Sequence, residues 1–191
     1  ADLFTSLYSV VAIQAALLTR KEFGQGTLID MSLFDTQLAV LANQASTYLL
    51  SGITPERMGN SHPSIVPYQV FEASNGYLIV AAGNDAQFER FCDILKRSDL
   101  AENDKFSTNV ARVENRDELI EILSVEILKH KRENLLEQME KKSISGGQIN
   151  SLSEVFSSEQ VLAREMRIKM KREDAIDGFV ELIGNPVKFN N

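Results

Sequence analysis

Tyr68-Gln69-Val70-Phe71-Glu72, then Ser74-Asn75-Gly76, then Tyr77-Leu78-Ile79-Val80-Ala81 decide the fold class. Two β-rich runs joined by Asn-Gly predict a hairpin. Gly83-Asn84-Asp85 leads directly into a helical pattern, with Phe88, Phe91, Cys92 and Leu95 at i, i+3, i+4 and i+7. A hairpin followed at once by an amphipathic helix predicts a mixed α/β unit.

Toward the C-terminus, Leu119, Ile120, Leu123, Ile127 and Leu128 mark the apolar face of another helix. Glu133 to Lys142 continues helical until Gly146-Gly147 stops it. Ser151 with Glu154 three residues on predicts a capping box. Met166 to Met170 and Phe179 to Ile183 read as strands joined by a turn at Asp177-Gly178.

Toward the N-terminus, Ser51 to Pro67 breaks all periodicity with Gly52, Pro55, Gly59, Asn60, Pro63 and Pro67. Long ordered loops in compact proteins tend to be functional. Before it, Leu3 to Glu22 predicts a helix apolar nearly all round, and hence buried. Asp2 stands where it would cap that helix, and Gly24-Gln25-Gly26 ends it. Thr27 to Met31 reads as a short strand, and Ser32 as the N-cap of a helix running to about Leu50. The apolar stretch Val10 to Leu18, interrupted by Gln14, is shorter than the ~20 residues of a bilayer span. It has neither the basic flank nor the cleavage site of a signal peptide, so no membrane partner is expected.

Composition excludes several classes. The 191 residues are 43% apolar and 25% charged, an ordinary globular balance. The net charge of −7 argues against nucleic-acid binding, which needs a basic face. One cysteine, Cys92, excludes an internal disulfide and a cysteine-based zinc site. His62 and His130 are the only histidines and lie far apart, so no metal site is expected. A reducing, cytoplasmic setting follows.

Three positions could carry chemistry. Asp2 is either a helix cap or a carboxylate nucleophile kept ionised by the helix N-terminus, and spacing does not separate the two. Gly59-Asn60-Ser61-His62-Pro63 is either a linker turn or a lid that excludes water from a labile intermediate. Asp85 reads as a helix cap, with an acid/base role as the alternative. Cys92 belongs to a core face, and Lys129 to Arg132, with His130, to a solvated basic helix end.

Taken together, several strings resemble the family III CoA-transferases, the CaiB/BaiF type that includes formyl-CoA and carnitine CoA-transferases. They are Ala1-Asp2-Leu3-Phe4-Thr5-Ser6, Ala15-Ala16-Leu17-Leu18, Gly24 through Asp35, Gly59 through Phe71, Gly83 through Phe88, Gln148 through Leu152 and Gly184 through Phe189. They run in family order along essentially the whole chain. Three departures stand out: Ser6 where the family has Gly, His62-Pro63 in place of further lid glycines, and Gly147-Gln148 in place of Gly-Pro. The second implies a stiffer lid and the third a looser turn.

The resemblance implies an α/β chain: a fragment of a Rossmann-like large domain plus an α+β small domain, in an interlocked homodimer. Its divisions would be 1–50 for the end of the large CoA-binding domain, 51–65 for linker and lid, 66–150 for the small domain and 151–191 for a returning segment. The family's region ahead of Asp2 would be missing. Asp2 falls on the catalytic aspartate, and Gly59, Asn60, Ser61 and His62 on the substrate-covering loop; Asp85 stays the candidate for a secondary acid/base role. Coenzyme A would be a substrate and not a bound cofactor, with acyl-CoA and carboxylates as partners. The implied reaction is CoA transfer through aspartyl anhydride and aspartyl-CoA thioester intermediates. Two alternatives stay open: a relative of the α-methylacyl-CoA racemases, or a catalytically inactive dimerisation fragment. Leu3-Phe4-Thr5 after Asp2, and Asp85 where the racemases carry glutamate, favour the transferase.

Overall fold

A computed structural model describes residues 1–189, which form two compact units, one of residues 1–57 and one from Met58 onward. In the first unit, α1 (Asp2–Phe23) packs on α2 (Leu33–Ala39), and α3 (Asn43–Ser51) follows. Gly24 takes the left-handed conformation at φ 72° and returns its N–H to the Arg20 carbonyl, which ends α1. Ser32 caps α2 as predicted, its hydroxyl accepting from the Asp35 N–H at 3.3 Å.

Three expectations for this unit need correction. Asp2 is the first helical residue and makes no capping bond; Ala1 occupies the cap position. The helix expected to reach Leu50 breaks at Ala42, whose φ of 48° no continuous helix allows. Thr27 to Met31 forms no strand, because a strand needs a ladder partner and none pairs with it among the described residues. Within the described residues α1 buries none of its side chains, with Leu3 and Leu18 at 82% and 70% exposure. Its 22 residues also make it long and apolar enough, by length and composition, to cross a membrane, which the shorter stretch Val10 to Leu18 was not.

The second unit is built on an antiparallel sheet of β1 (Tyr68–Ala73), β2 (Gly76–Ala81) and β3 (Ser145–Ile149), with β2 in the centre. The predicted hairpin forms with Phe71 opposite Leu78 and Ala73 opposite Gly76. Its two loop residues are Ser74 and Asn75, and Gly76, at φ 144°, opens β2. Alternation sends Phe71, Ala73, Leu78 and Val80 to one face, where all are buried.

Helices cover that face. The predicted apolar stripe of α4 (Asp85–Leu95) is buried through Phe88, Phe91, Cys92 and Leu95. Beyond it come α5 (Ser98–Glu102), α6 (Asn109–Glu114), α7 (Arg116–Ile127) and α8 (Arg132–Lys141). Leu119, Leu123 and Ile127 of α7 and Leu135 and Met139 of α8 join the core, whereas Leu128 stays about half exposed. Each fully buried Leu or Phe contributes about 1.5–3 kcal/mol, so this stripe carries much of the unit's stability. Burial also pushes the Cys92 thiol up to about 12, so this cysteine is a core residue.

The Gly146-Gly147 pair, expected to be a stop, is a strand. Gly146 pairs with Val80, and a Cβ there would lie 2.6 Å from Met139 Cε and 2.8 Å from the Ile79 carbonyl. Only glycine lets β3 approach β2 beneath α8.

Arg132 is not part of a solvated basic end. Its side chain is 11% exposed, bonding the Ile149 carbonyl at 3.1 Å, Glu133 at 2.8 Å and Glu154. Asn75 of the hairpin turn receives the Arg132 N–H and donates to Glu133, so turn, α8 and the end of β3 share one knot. The Ser151–Glu154 capping box forms as predicted at the start of α9 (Leu152–Ser157). After α10 (Glu159–Ala163), β4 (Arg167–Lys171) and β5 (Phe179–Ile183) make a separate antiparallel pair.

Candidate functional site

The candidate residues fall in both units, and each unit places its own. In the first, Asp2 lies at the N-terminus of a 22-residue helix with its carboxylate exposed. The Ala1 carbonyl accepts from both the N–H and the hydroxyl of Thr5, at 3.0 Å each, which closes the first turn. The opening N–H groups of a helix have no intrahelical acceptor and carry partial positive charge. An exposed carboxylate here is free to act as a nucleophile toward an electrophilic carbonyl. The same N–H groups can stabilise the oxyanion formed in such an attack.

In the second unit, Gly59 to Ser64 follows the unpaired edge of β1. The Asn60 side chain accepts the Val70 N–H at 2.8 Å, and the His62 N–H donates to the Tyr68 carbonyl at 2.9 Å. Edge-strand groups that would otherwise be free are thereby satisfied by the loop. Ser61 donates to the Gln69 side chain at 2.9 Å. The His62 ring stacks on Tyr68 with centroids 5.1 Å apart and planes within 6°, while its Nδ1 accepts the Ser64 N–H at 3.2 Å. Gly59, at φ 61°, makes the turn that starts the segment. Gly59, Asn60, Ser61 and His62 are therefore brought together on one ordered loop.

Two arginines and an asparagine fix the loop from below, and the sequence reading missed all three. Asn109 donates to the Ser64 carbonyl at 2.8 Å and accepts the Val66 N–H at 3.2 Å. Arg116 Nη2 donates to the carbonyls of His62 and Pro63 at 2.9 and 3.0 Å. Arg112 is wholly buried: its Nε reaches the Val66 carbonyl at 2.7 Å, its Nη1 the Phe106 carbonyl at 2.8 Å, and its guanidinium lies 4.4 Å from the Phe88 ring centre. Asn109 and Arg112 are three apart on one side of α6, and Arg116 opens α7 just after the break at Asn115. Polar and charged side chains interleaved with Val110, Ala111 and Val113 are the signal that could have found them.

Asp85 does not cap α4. Asn84 does so, its side chain accepting the Gln87 N–H at 2.9 Å. The Asp85 carboxylate instead takes Arg112 Nη2 at 2.8 Å while remaining 55% exposed. It neutralises a buried guanidinium, which desolvation would otherwise penalise. Among the described residues no cluster of His, Cys, Asp and Glu has the makings of a metal site.

Comparison with known proteins gives this geometry a context. The model of CoA-transferase family III matches residues 1–191. The chain is 47% identical over 174 residues to a succinate–glutarate CoA-transferase of Agrobacterium fabrum, covering 91% of this chain and 44% of that protein. It is 39% identical over 189 residues to the succinyl-CoA:glutarate CoA-transferase of Mus musculus, covering 99% of this chain and 43% of that protein. A crystal structure of a CaiB/BaiF family protein from Brucella suis superposes with a TM-score of 0.82 at 44% identity, over 98% of this chain and 48% of that one. The chain thus spans about half the length of the relatives it matches. On the family match along its whole length and the shared mixed α/β fold, the chain belongs to CoA-transferase family III.

Proposed function

We propose that the protein carrying this chain transfers coenzyme A from an acyl-CoA donor to a carboxylic acid. The observation that carries this reading is the family match from residue 1 to residue 191. The names of the relatives from Agrobacterium fabrum and Mus musculus support short dicarboxylates, succinate and glutarate, as the acids exchanged.

Asp2 is the nucleophile in this proposal. Its carboxylate attacks the donor thioester carbonyl, forming an acyl-aspartyl anhydride and expelling the CoA thiolate. The thiolate attacks the aspartyl carbonyl, giving an aspartyl-CoA thioester and releasing the donor acid. The acceptor carboxylate attacks that thioester, forming a second anhydride and freeing the thiolate again. The thiolate then takes the acceptor acyl group, and the Asp2 carboxylate is restored. Every step exchanges a carboxylate for a thiolate at one carbonyl, so no net proton is consumed. An anhydride hydrolyses readily, and excluding water is the task assigned to Gly59, Asn60, Ser61 and His62. A homodimer in the cytoplasm, completing a Rossmann-like domain beside the α+β unit, is part of the same proposal. The exposed apolar surface of α1 is in keeping with a partner surface.

Replacing Asp2 with Asn in the full-length protein tests the reading. Transfer from succinyl-CoA to glutarate is expected to vanish while the fold persists, and hydroxylamine added during turnover is expected to label Asp2 in the unsubstituted enzyme. Undiminished transfer by the Asp2→Asn protein would refute it.

A further inference from the structure

The loop that carries Asn60, Ser61 and His62 is held by one side chain from far along the sequence. Arg116, the first residue of α7, spends a single nitrogen on two consecutive loop carbonyls, those of His62 and Pro63. Hydrogen bonds from a charged donor are stronger than neutral ones, and two on neighbouring carbonyls fix the orientation of the intervening peptide. The other terminal nitrogen, Nη1, is fully covered and has no hydrogen-bond partner among the described residues. A covered, unpaired donor is costly, and an arginine serving solubility or helix charge would turn that nitrogen to water. The loop contacts hold the guanidinium in place despite that cost.

We infer that Arg116 is a positioning residue for the CoA-transfer reaction, acting through the His62 and Pro63 carbonyls to hold the water-excluding loop in its ordered form. The inference rests on the functional reading above. The remaining loop tethers run to β1 and to Asn109: Asn60 to Val70, Ser61 to Gln69, His62 to Tyr68 and Ser64 to Asn109. These are made by neutral groups and survive loss of Arg116. Removing Arg116 therefore loosens the loop without unfolding the sheet, and a looser loop admits water to the acyl intermediates.

The test compares Arg116→Met and Arg116→Lys with the unsubstituted full-length protein. Hydrogen exchange of the His62 and Ser64 amides reads the loop; exchange at Leu119 and Leu123 of α7 controls for the fold. Turnover of succinyl-CoA with glutarate is scored for transfer and for thioester hydrolysis separately. Arg116→Met is expected to speed exchange at His62 and Ser64 about tenfold or more with α7 unchanged. The ratio of hydrolysis to transfer should rise by a similar factor. Arg116→Lys, with one compact ammonium in place of a planar fork, should fall between. Unchanged exchange at His62 and Ser64 overturns the inference, as does faster exchange with an unchanged hydrolysis ratio. An unsubstituted protein that shows no transfer overturns the functional reading, and with it the role assigned to Arg116 in the reaction; that outcome is recognised before any variant is made.

Discussion

Replacing Arg112 with Met removes five N–H donors while nearly keeping the side chain's length. In the folded unit the Val66 and Phe106 carbonyls each lose a bond, of 2.7 and 2.8 Å, in a setting closed to water. An unsatisfied buried acceptor costs about 1–3 kcal/mol. Loss of the guanidinium over the Phe88 ring, 4.4 Å from its centre, adds about 0.5–2 kcal/mol. The Asp85 pair adds little, because that carboxylate is 55% exposed. Relief of the buried charge's desolvation opposes these losses. The net expectation is about 3–5 kcal/mol of destabilisation, set mainly by the two stranded carbonyls and the lost ring contact. Arg112→Lys should lose less, since one ammonium keeps the charge but cannot reach three acceptors. With no tryptophan in the chain, far-UV circular dichroism in urea follows unfolding. Amide exchange at Leu78 and Val80 of the central strand reports the same opening, expected to quicken by more than about a hundredfold. A loss under about 1 kcal/mol in Arg112→Met would refute the reasoning, because it would mean the two carbonyls find other donors at no cost.

Acid should loosen the knot at Arg132. Glu133, through its bond to Arg132, and Glu154, through the Ser151 N–H and then Arg132, are both held down at about 2, against 4.5 for a free glutamate. Folded values below unfolded ones give stability that is present above pH 4.5 and lost as pH falls toward 2. Urea midpoints should drop across that window, and less steeply in Arg132→Met; equal slopes would show that Arg132 is not the cause. Gly146→Ala should cost about 1–3 kcal/mol by overpacking, since its Cβ would meet the Ile79 carbonyl at 2.8 Å; a wild-type urea midpoint would contradict the tight β2–β3 approach. Cys92 should resist a thiol reagent such as Ellman's in the folded protein and react fully in urea, because burial keeps its thiol protonated; fast labelling without denaturant would show that its core position opens.

The elements that were legible in the sequence are those whose signals are local. The hairpin over Tyr68–Ala81, the α4 stripe, the Ser32 cap and the Ser151–Glu154 box each depend on residues within a few positions of one another. Periodicity and capping chemistry act over that range, so the sequence by itself determined the mixed α/β class. The family strings from Ala1-Asp2 to Gly184-Asn185 likewise stand in the order of residues alone.

What tertiary structure decided is every contact made across long sequence separations. Gly146-Gly147 resembles a stop, yet both residues pair with β2, and Ile79 and Met139 crowd Gly146. Thr27 to Met31 has strand composition but no ladder partner among the described residues. Asp85 looked like a cap because its neighbours are turn formers, yet the buried Arg112, 27 residues away, takes its carboxylate. The loop from Gly59 to Ser64 reads as a linker on composition, and it is fixed by Asn109 and Arg116, 45 and 54 positions from the carbonyls they hold. A buried carbonyl must find a donor wherever the fold supplies one, and no spacing rule in a single sequence specifies which distant arginine that donor will be.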